Sequence, residues 1–123
     1  MFNRLFSRGA PAYETITAPD AIQLLTQKGA IFVDVRGADE IARSGTVPGA
    51  VRAPLPGLSN FAKPDGSGAL PAADSGQTIV CVCASGMRSS VAAQQLADMG
   101  YGNVVNLRGG IAAWMAAGGA VQR

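Results

Sequence analysis

With 123 residues, 48% of them hydrophobic and 15% charged, the chain has the length and composition of one compact domain with an ordinary core. A net charge of +2 is too small and too dispersed for a nucleic-acid footprint, and no apolar run approaches the roughly twenty residues needed to cross a bilayer. There is no histidine, which removes Cys–His and Ser–His catalytic pairs and histidine metal sites, and two cysteines alone make a poor zinc site. No metal and no cofactor is expected. Residues 1–8 carry two arginines but lack the apolar core of a signal peptide. Residues 1–12 are expected to form a short N-terminal extension and residues 13–123 a single domain. The cysteines lie two positions apart and make no disulfide framework, so a reducing cytoplasm is the expected compartment.

Short apolar runs alternate with helical stretches, the pattern of an α/β domain built on a largely parallel sheet. Residues 13–16 predict a brief first strand. Thr17 then reads as a helix N-cap, with Pro19 early, Asp20 in the capping-box position and Gly29 as the C′ residue. Residues 31–35 read as a buried second strand, and 47–51 turn into a brief third strand ending near Arg52. Residues 54–77, rich in proline and glycine, predict a surface excursion with one short helix near 58–62. Residues 78–82 read as a fourth strand, 89–99 as a helix closed by Gly100, 104–107 as a fifth strand and 111–117 as a last, largely buried helix.

The segment Cys83-Ala84-Ser85-Gly86-Met87-Arg88-Ser89-Ser90 places a cysteine where a strand ends and a helix begins. Backbone N–H groups of such a loop can point inward as an anion-binding nest, and the helix N-terminus adds partial positive charge. Both effects favour the thiolate, the reactive form. Gly86 supplies the curvature, and Met87 is expected on the pocket rim. The account requires a sulfur that is ionised and reachable. Cys81 lies on the same side of its strand as Cys83, about 6.6 Å away between Cα atoms, near the upper limit of disulfide geometry. Core filler is the favoured reading for Cys81, and Trp114 and Met99 are assigned to packing.

Cys83-x-x-Gly86-x-Arg88-Ser89 resembles the active-site loop of the rhodanese family of sulfurtransferases. Val33-Asp34-Val35-Arg36 with Glu40, Gly45-Thr46-Val47-Pro48-Gly49-Ala50, and Arg108-Gly109-Gly110 through Trp114 resemble three further family segments in the family's order, covering roughly residues 13 to 117. The resemblance implies an open five-stranded parallel sheet, strand order 1-5-4-2-3, with helices on both faces and the loop at the carboxyl edge of the central strand. It implies that Cys83 takes a sulfane sulfur as a persulfide and passes it on, with Ala84 to Ser89 as the substrate-binding loop. The donor would be thiosulfate or a persulfide. The acceptor would be cyanide, a small thiol or a protein thiol. Ala84 and Ser85 are uncharged where thiosulfate-preferring members often carry cations, which weakens the case for thiosulfate. Thr46 stands where the family often has histidine, at a position usually structural.

The implied strand order puts Asp34 near Arg88, and an ion pair between them is expected to shape the loop. Arg36 and Glu40 are expected to pair with each other. Two other functions use the same parts. A cysteine phosphatase also has a thiolate, a backbone cradle and an arginine, but with five residues between cysteine and arginine. Here there are four, and the smaller loop suits a sulfur atom better than a tetrahedral phosphate. A non-catalytic or redox-sensing module would keep the same loop without turnover.

Overall fold

The structure is a computed structural model that describes residues 12–123. The expectations for residues 1–11, an extension carrying two arginines, lie outside the described residues. Strands β1 (Glu14–Ile16), β2 (Ala30–Asp34), β3 (Val51–Arg52), β4 (Thr78–Val82) and β5 (Val104–Leu107) form one parallel sheet in the order β1-β5-β4-β2-β3. This is the order 1-5-4-2-3. β4 is central and pairs with β2 along all five of its residues. Its sequence, TIVCV, is β-branched and apolar, as a strand covered on both faces requires.

The pleat divides the core in two. Ile79, Cys81 and Cys83 pack with Val33, Val35, Leu58 and Leu96 beneath α3 (Leu58–Phe61) and α4 (Met87–Asp98). Val80 and Val82 point the other way, to Phe32, Leu107 and Trp114 beneath α1 (Ala18–Thr26) and α5 (Gly110–Ala116). Trp114 is fully buried, meets Phe32 edge-on at 5.6 Å between ring centroids, and donates its indole N–H to the Ala120 carbonyl at 2.8 Å. Met99 packs against the first core, half-buried.

Several local expectations shift. Thr17 caps α1 as its sequence suggests, accepting from the Asp20 N–H at 3.4 Å. At the other end the left-handed residue is Lys28 (φ +54°), not Gly29. The Lys28 N–H donates to Leu25 and the Gly29 N–H to Leu24, so the chain closes a Schellman turn with lysine at C′ and glycine one place later. A helix absent from the sequence reading, α2 (Ala38–Ser44), follows β2. Its N-cap is Gly37, which has no side chain to signal a start, and Ile41 is its one buried residue. Both α4 and α5 begin earlier than the apolar periodicity indicates, at Met87 and Gly110, each after a left-handed glycine. Between β3 and β4 the elements are a 3-10 turn (Leu55–Gly57) and α3, in keeping with a surface excursion.

Trp114 fixes α5 on the sheet, and through α5 it supports the loop described next. Trp114→Ala is expected to lower unfolding free energy by about 3–5 kcal/mol in urea titrations. A loss below about 1 kcal/mol would mean that α5 does not depend on that anchor.

Candidate active site

β4 runs out at Val82, and the chain turns through Cys83–Gly86 directly into α4. Gly86 adopts φ +107°, a left-handed value that residues with a Cβ resist, and its N–H donates to Cys83 Sγ at 3.0 Å. Ser89 Oγ lies 3.3 Å from the same sulfur, and the backbone N–H groups of Ser85 and Ser89 lie close enough to favour its ionised form. Burial raises the Cys83 pKa. The amides of Ser89, Gly86 and Ser85, together with the Ser89 hydroxyl whenever its proton is turned to the sulfur, lower it by more, so the thiol is held below its ordinary value. Two positions upstream the balance is reversed. Cys81 is fully buried, and burial pushes its thiol up to about 12. The two cysteines share a face but not a chemistry.

One expectation needs correcting. Cys83 is only 1% exposed, not open to solvent. The amides that converge on the sulfur fold the loop over it, so the sulfur forms the floor of a cup. The cup wall is thin: Ala84, Gly86 and Arg88 are half-buried and Ser85 is exposed. Met87 is 78% exposed.

The loop is held from behind by α5. The Ile111 N–H donates to the Cys83 carbonyl at 2.8 Å and the Ala112 N–H to the Ala84 carbonyl at 3.4 Å. With those two carbonyls engaged outward, the amides that follow are left to face the sulfur. Gly110 (φ +61°) permits this approach, since a Cβ there would fall on the Cys83 and Ala84 carbonyls. The sequence showed Gly109-Gly110 as part of a family pattern without revealing this contact.

The charged residues pair differently from the expectation. Asp34 does not reach Arg88. On the pleat it shares the face of Phe32, whereas Cys83 and α4 lie on the opposite face. Arg36, two residues on and therefore on Asp34's side, binds it through Nε at 3.0 and 3.1 Å and through Nη2 at 2.8 Å. Thr46 Oγ1 donates to Asp34 Oδ2 at 2.6 Å, while Arg36 also donates to Ser44 Oγ and the Gly45 carbonyl. This cluster is buried and ties β2 to the chain after α2. Glu40 therefore has no pair with Arg36. From the first turn of α2 it accepts from the Gly37 N–H and takes Arg88 in a two-pronged pair at 2.7 and 2.8 Å. Arg88 is consequently a strut between the first turns of α4 and α2, its charge turned toward a carboxylate.

Asn106, the one polar residue in the strand sequence VVNL, is a site residue that the sequence reading passed over. It is the cross-strand partner of Cys81, and its side chain joins Ser89 and the Gly86 carbonyl. A polar residue interrupting an apolar strand beside the strand that leads into Cys83 was the available signal. Next to Ala84, a groove of about 390 Å³ is lined by residues including Arg43, Ile111 and Met115. A larger hollow of about 450 Å³ between Tyr13 and Gln95 does not reach Cys83. Among the described residues no cluster of side chains could hold a metal ion, and no helix is long and apolar enough to cross a membrane.

Fold and loop together define a class: a parallel α/β domain whose central strand delivers a cysteine into a cup of amides. Comparison with known proteins narrows it. The sequence model of the Rhodanese-like domain matches residues 17–117. A sulfurtransferase of Allochromatium vinosum is 36% identical over 92 residues, which cover 75% of this chain and 78% of that protein. A thiosulfate sulfurtransferase GlpE of Pseudomonas savastanoi pv. phaseolicola is 31% identical over 98 residues, 80% of this chain and 84% of its own. Among solved structures, a Rhodopseudomonas palustris protein described as a possible tyrosine phosphatase superposes with a TM-score of 0.80 at 34% identity, covering 90% of this chain and 86% of that one. The chain belongs to the rhodanese-like domain family.

The Glu40–Arg88 pair has a defined pH signature. Hydrogen bonding to Arg88 holds the Glu40 carboxyl at about 2, against an ordinary 4.5. A depressed carboxylate stabilises the fold above its unfolded-state value and loses that contribution as pH falls toward the folded one. The pair's contribution is therefore present above about pH 5 and fades between 4.5 and about 2. Because both side chains are about a third or more exposed, screening limits it to about 1 kcal/mol or less. Glu40→Gln should flatten the stability–pH curve in that window relative to wild type. Curves of the same shape for both proteins would contradict the pairing.

Proposed function

We propose that this protein is a sulfurtransferase that carries a sulfane sulfur on Cys83. The observation that carries the reading is the convergence of backbone N–H groups on Cys83 Sγ at the mouth of α4. The thiolate attacks the outer sulfur of the donor. A new S–S bond forms at Cys83 while the donor's own bond to that sulfur breaks, and its electron pair leaves with the departing group, sulfite if the donor is thiosulfate. The terminal sulfur of the resulting persulfide is anionic, and the amides of residues 84–89 that stabilised the thiolate stabilise it too. A thiol, cyanide or a protein thiolate then attacks the terminal sulfur and regenerates the Cys83 thiolate. No cofactor enters the cycle, and a reducing cytoplasm would supply thiol acceptors.

Donor choice follows from charge. Arg88 is the one cation in the loop, and Glu40 neutralises it. With uncharged Ala84 and Ser85 beside it, the loop offers a dianion amide dipoles and no unpaired side-chain cation of its own, which favours a persulfide donor over thiosulfate. Entry past Ser85 and Met87 requires the rim to open slightly, given a sulfur 1% exposed. The described domain, from residue 13 onward, is taken as the functional unit.

The phosphatase description of the Rhodopseudomonas relative does not transfer well. A phosphatase needs its arginine on the substrate anion, and here Arg88 arrives one residue early and is committed to Glu40. A purely redox-sensing module would share the thiolate but not the transfer. Intact-mass analysis after incubation with thiosulfate, and separately with glutathione persulfide, distinguishes these. Wild type should gain one sulfur atom and lose it to added cyanide, with Cys83→Ser gaining none. No sulfur gain from either donor would refute transfer, and p-nitrophenyl phosphate turnover lost in Cys83→Ser would favour the phosphatase.

A further inference from the structure

We propose that Asn106 tunes the ionisation of Cys83 by competing with the sulfur for the single proton of Ser89. Ser89 Oγ stands 2.5 Å from Asn106 Oδ1 and 3.3 Å from Cys83 Sγ. A hydroxyl has one proton to donate. The Asn106 amide is not free to choose which end it presents. Its Nδ2 lies 3.2 Å from the Gly86 carbonyl, a pure acceptor, so the NH2 group faces Gly86 and the oxygen faces Ser89. An amide oxygen brings no proton of its own. At so short a distance Ser89 must donate to it.

The consequence falls on the sulfur. With its proton given to Asn106, Ser89 turns a lone pair toward Cys83. That arrangement suits a thiol, which donates its S–H to Ser89 Oγ, and opposes a thiolate. To serve a thiolate, Ser89 must swing its proton to the sulfur, leaving two oxygen lone pairs facing each other until Asn106 shifts. Ionisation of Cys83 is thereby coupled to the position of one side chain on β5. The chain Cys83–Ser89–Asn106–Gly86 ends in an amide and a carbonyl, neither of them a base, so it cannot relay the proton away. The thiol proton leaves to solvent over the loop rim. Asn106 acts as a positioning residue, through Ser89.

Other charges near the sulfur do not duplicate this role. Cys81, on the same strand, titrates only near 12. Arg88, at the start of α4, is paired with Glu40, and Asp34, at the end of β2, is paired with Arg36 on the other face. β5 and α5 carry no ionisable side chain, and neither does α3.

The proposal rests on Cys83 being the reactive thiol of the sulfurtransferase reading, but its test consumes no sulfur donor, so the two fail separately. The ultraviolet absorbance of the thiolate is titrated against pH in the full-length protein. Asn106→Leu, which fills the space without an acceptor, should lower the Cys83 midpoint by about one pH unit, the worth of one hydrogen bond to a charged group. In a Ser89→Ala background the same substitution should leave the midpoint where Ser89→Ala alone puts it. A midpoint unchanged or raised in Asn106→Leu, with native circular dichroism, overturns the proposal. An equal drop in the Ser89→Ala background also overturns it, because the effect would then travel through the loop and not the proton. Should Asn106→Leu not fold, Raman spectra of wild type and Ser89→Ala at a pH where Cys83 is protonated decide the matter. A hydrogen-bonded S–H band present in wild type and lost in Ser89→Ala supports the proposal, and identical S–H bands overturn it.

Discussion

The site depends on one constraint: several backbone N–H groups must point at one sulfur atom at the same time. Consecutive amides in an ordinary turn do not converge. Here they do because Gly86 takes a left-handed conformation and because α5 draws the carbonyls of Cys83 and Ala84 outward. The two requirements come from distant parts of the sequence. The sheet order β1-β5-β4-β2-β3 brings them together by placing β5, and the helix after it, beside the central strand. Remove the close approach at Gly110 and the cradle loses its back wall while the cysteine remains.

Charge in this site is arranged to be spent internally. Asp34 and Arg36 satisfy one another in the interior, with Thr46 and Ser44 completing their hydrogen bonds. Breaking such a buried pair by removing one partner typically costs about 3–5 kcal/mol. Glu40 and Arg88 do the same nearer the surface. The result, among the described residues, is a loop whose positive potential comes from fixed dipoles, its own cation Arg88 being paired with Glu40. That explains how a thiolate can be favoured at a position 1% exposed without histidine anywhere in the chain.

What the sequence reveals, and what it conceals, follows from the range of each interaction. β4 and β5 are legible to the residue because TIVCV and VVNL are apolar runs bounded by turn residues, and the cysteine loop is legible because its spacing is local. α2 is not, since a glycine N-cap and a single buried isoleucine give neither a start signal nor a periodicity. The expected Asp34–Arg88 pair fails for a more instructive reason. Strand adjacency was inferred correctly, but the pleat puts the two on opposite faces, and adjacency without face parity does not make a contact. The partnership of Ser89 with Asn106 joins residues 17 apart through side chains, which no local pattern encodes.

The most direct test of the account is a titration of both cysteines in one sample, by NMR of protein labelled with carbon-13 at the cysteine Cβ. The account predicts that Cys83 ionises below the ordinary thiol value while Cys81 stays protonated until strongly alkaline pH. A Cys83 resonance that titrates at or above the ordinary value would contradict it, since the amide cradle would then not stabilise the thiolate.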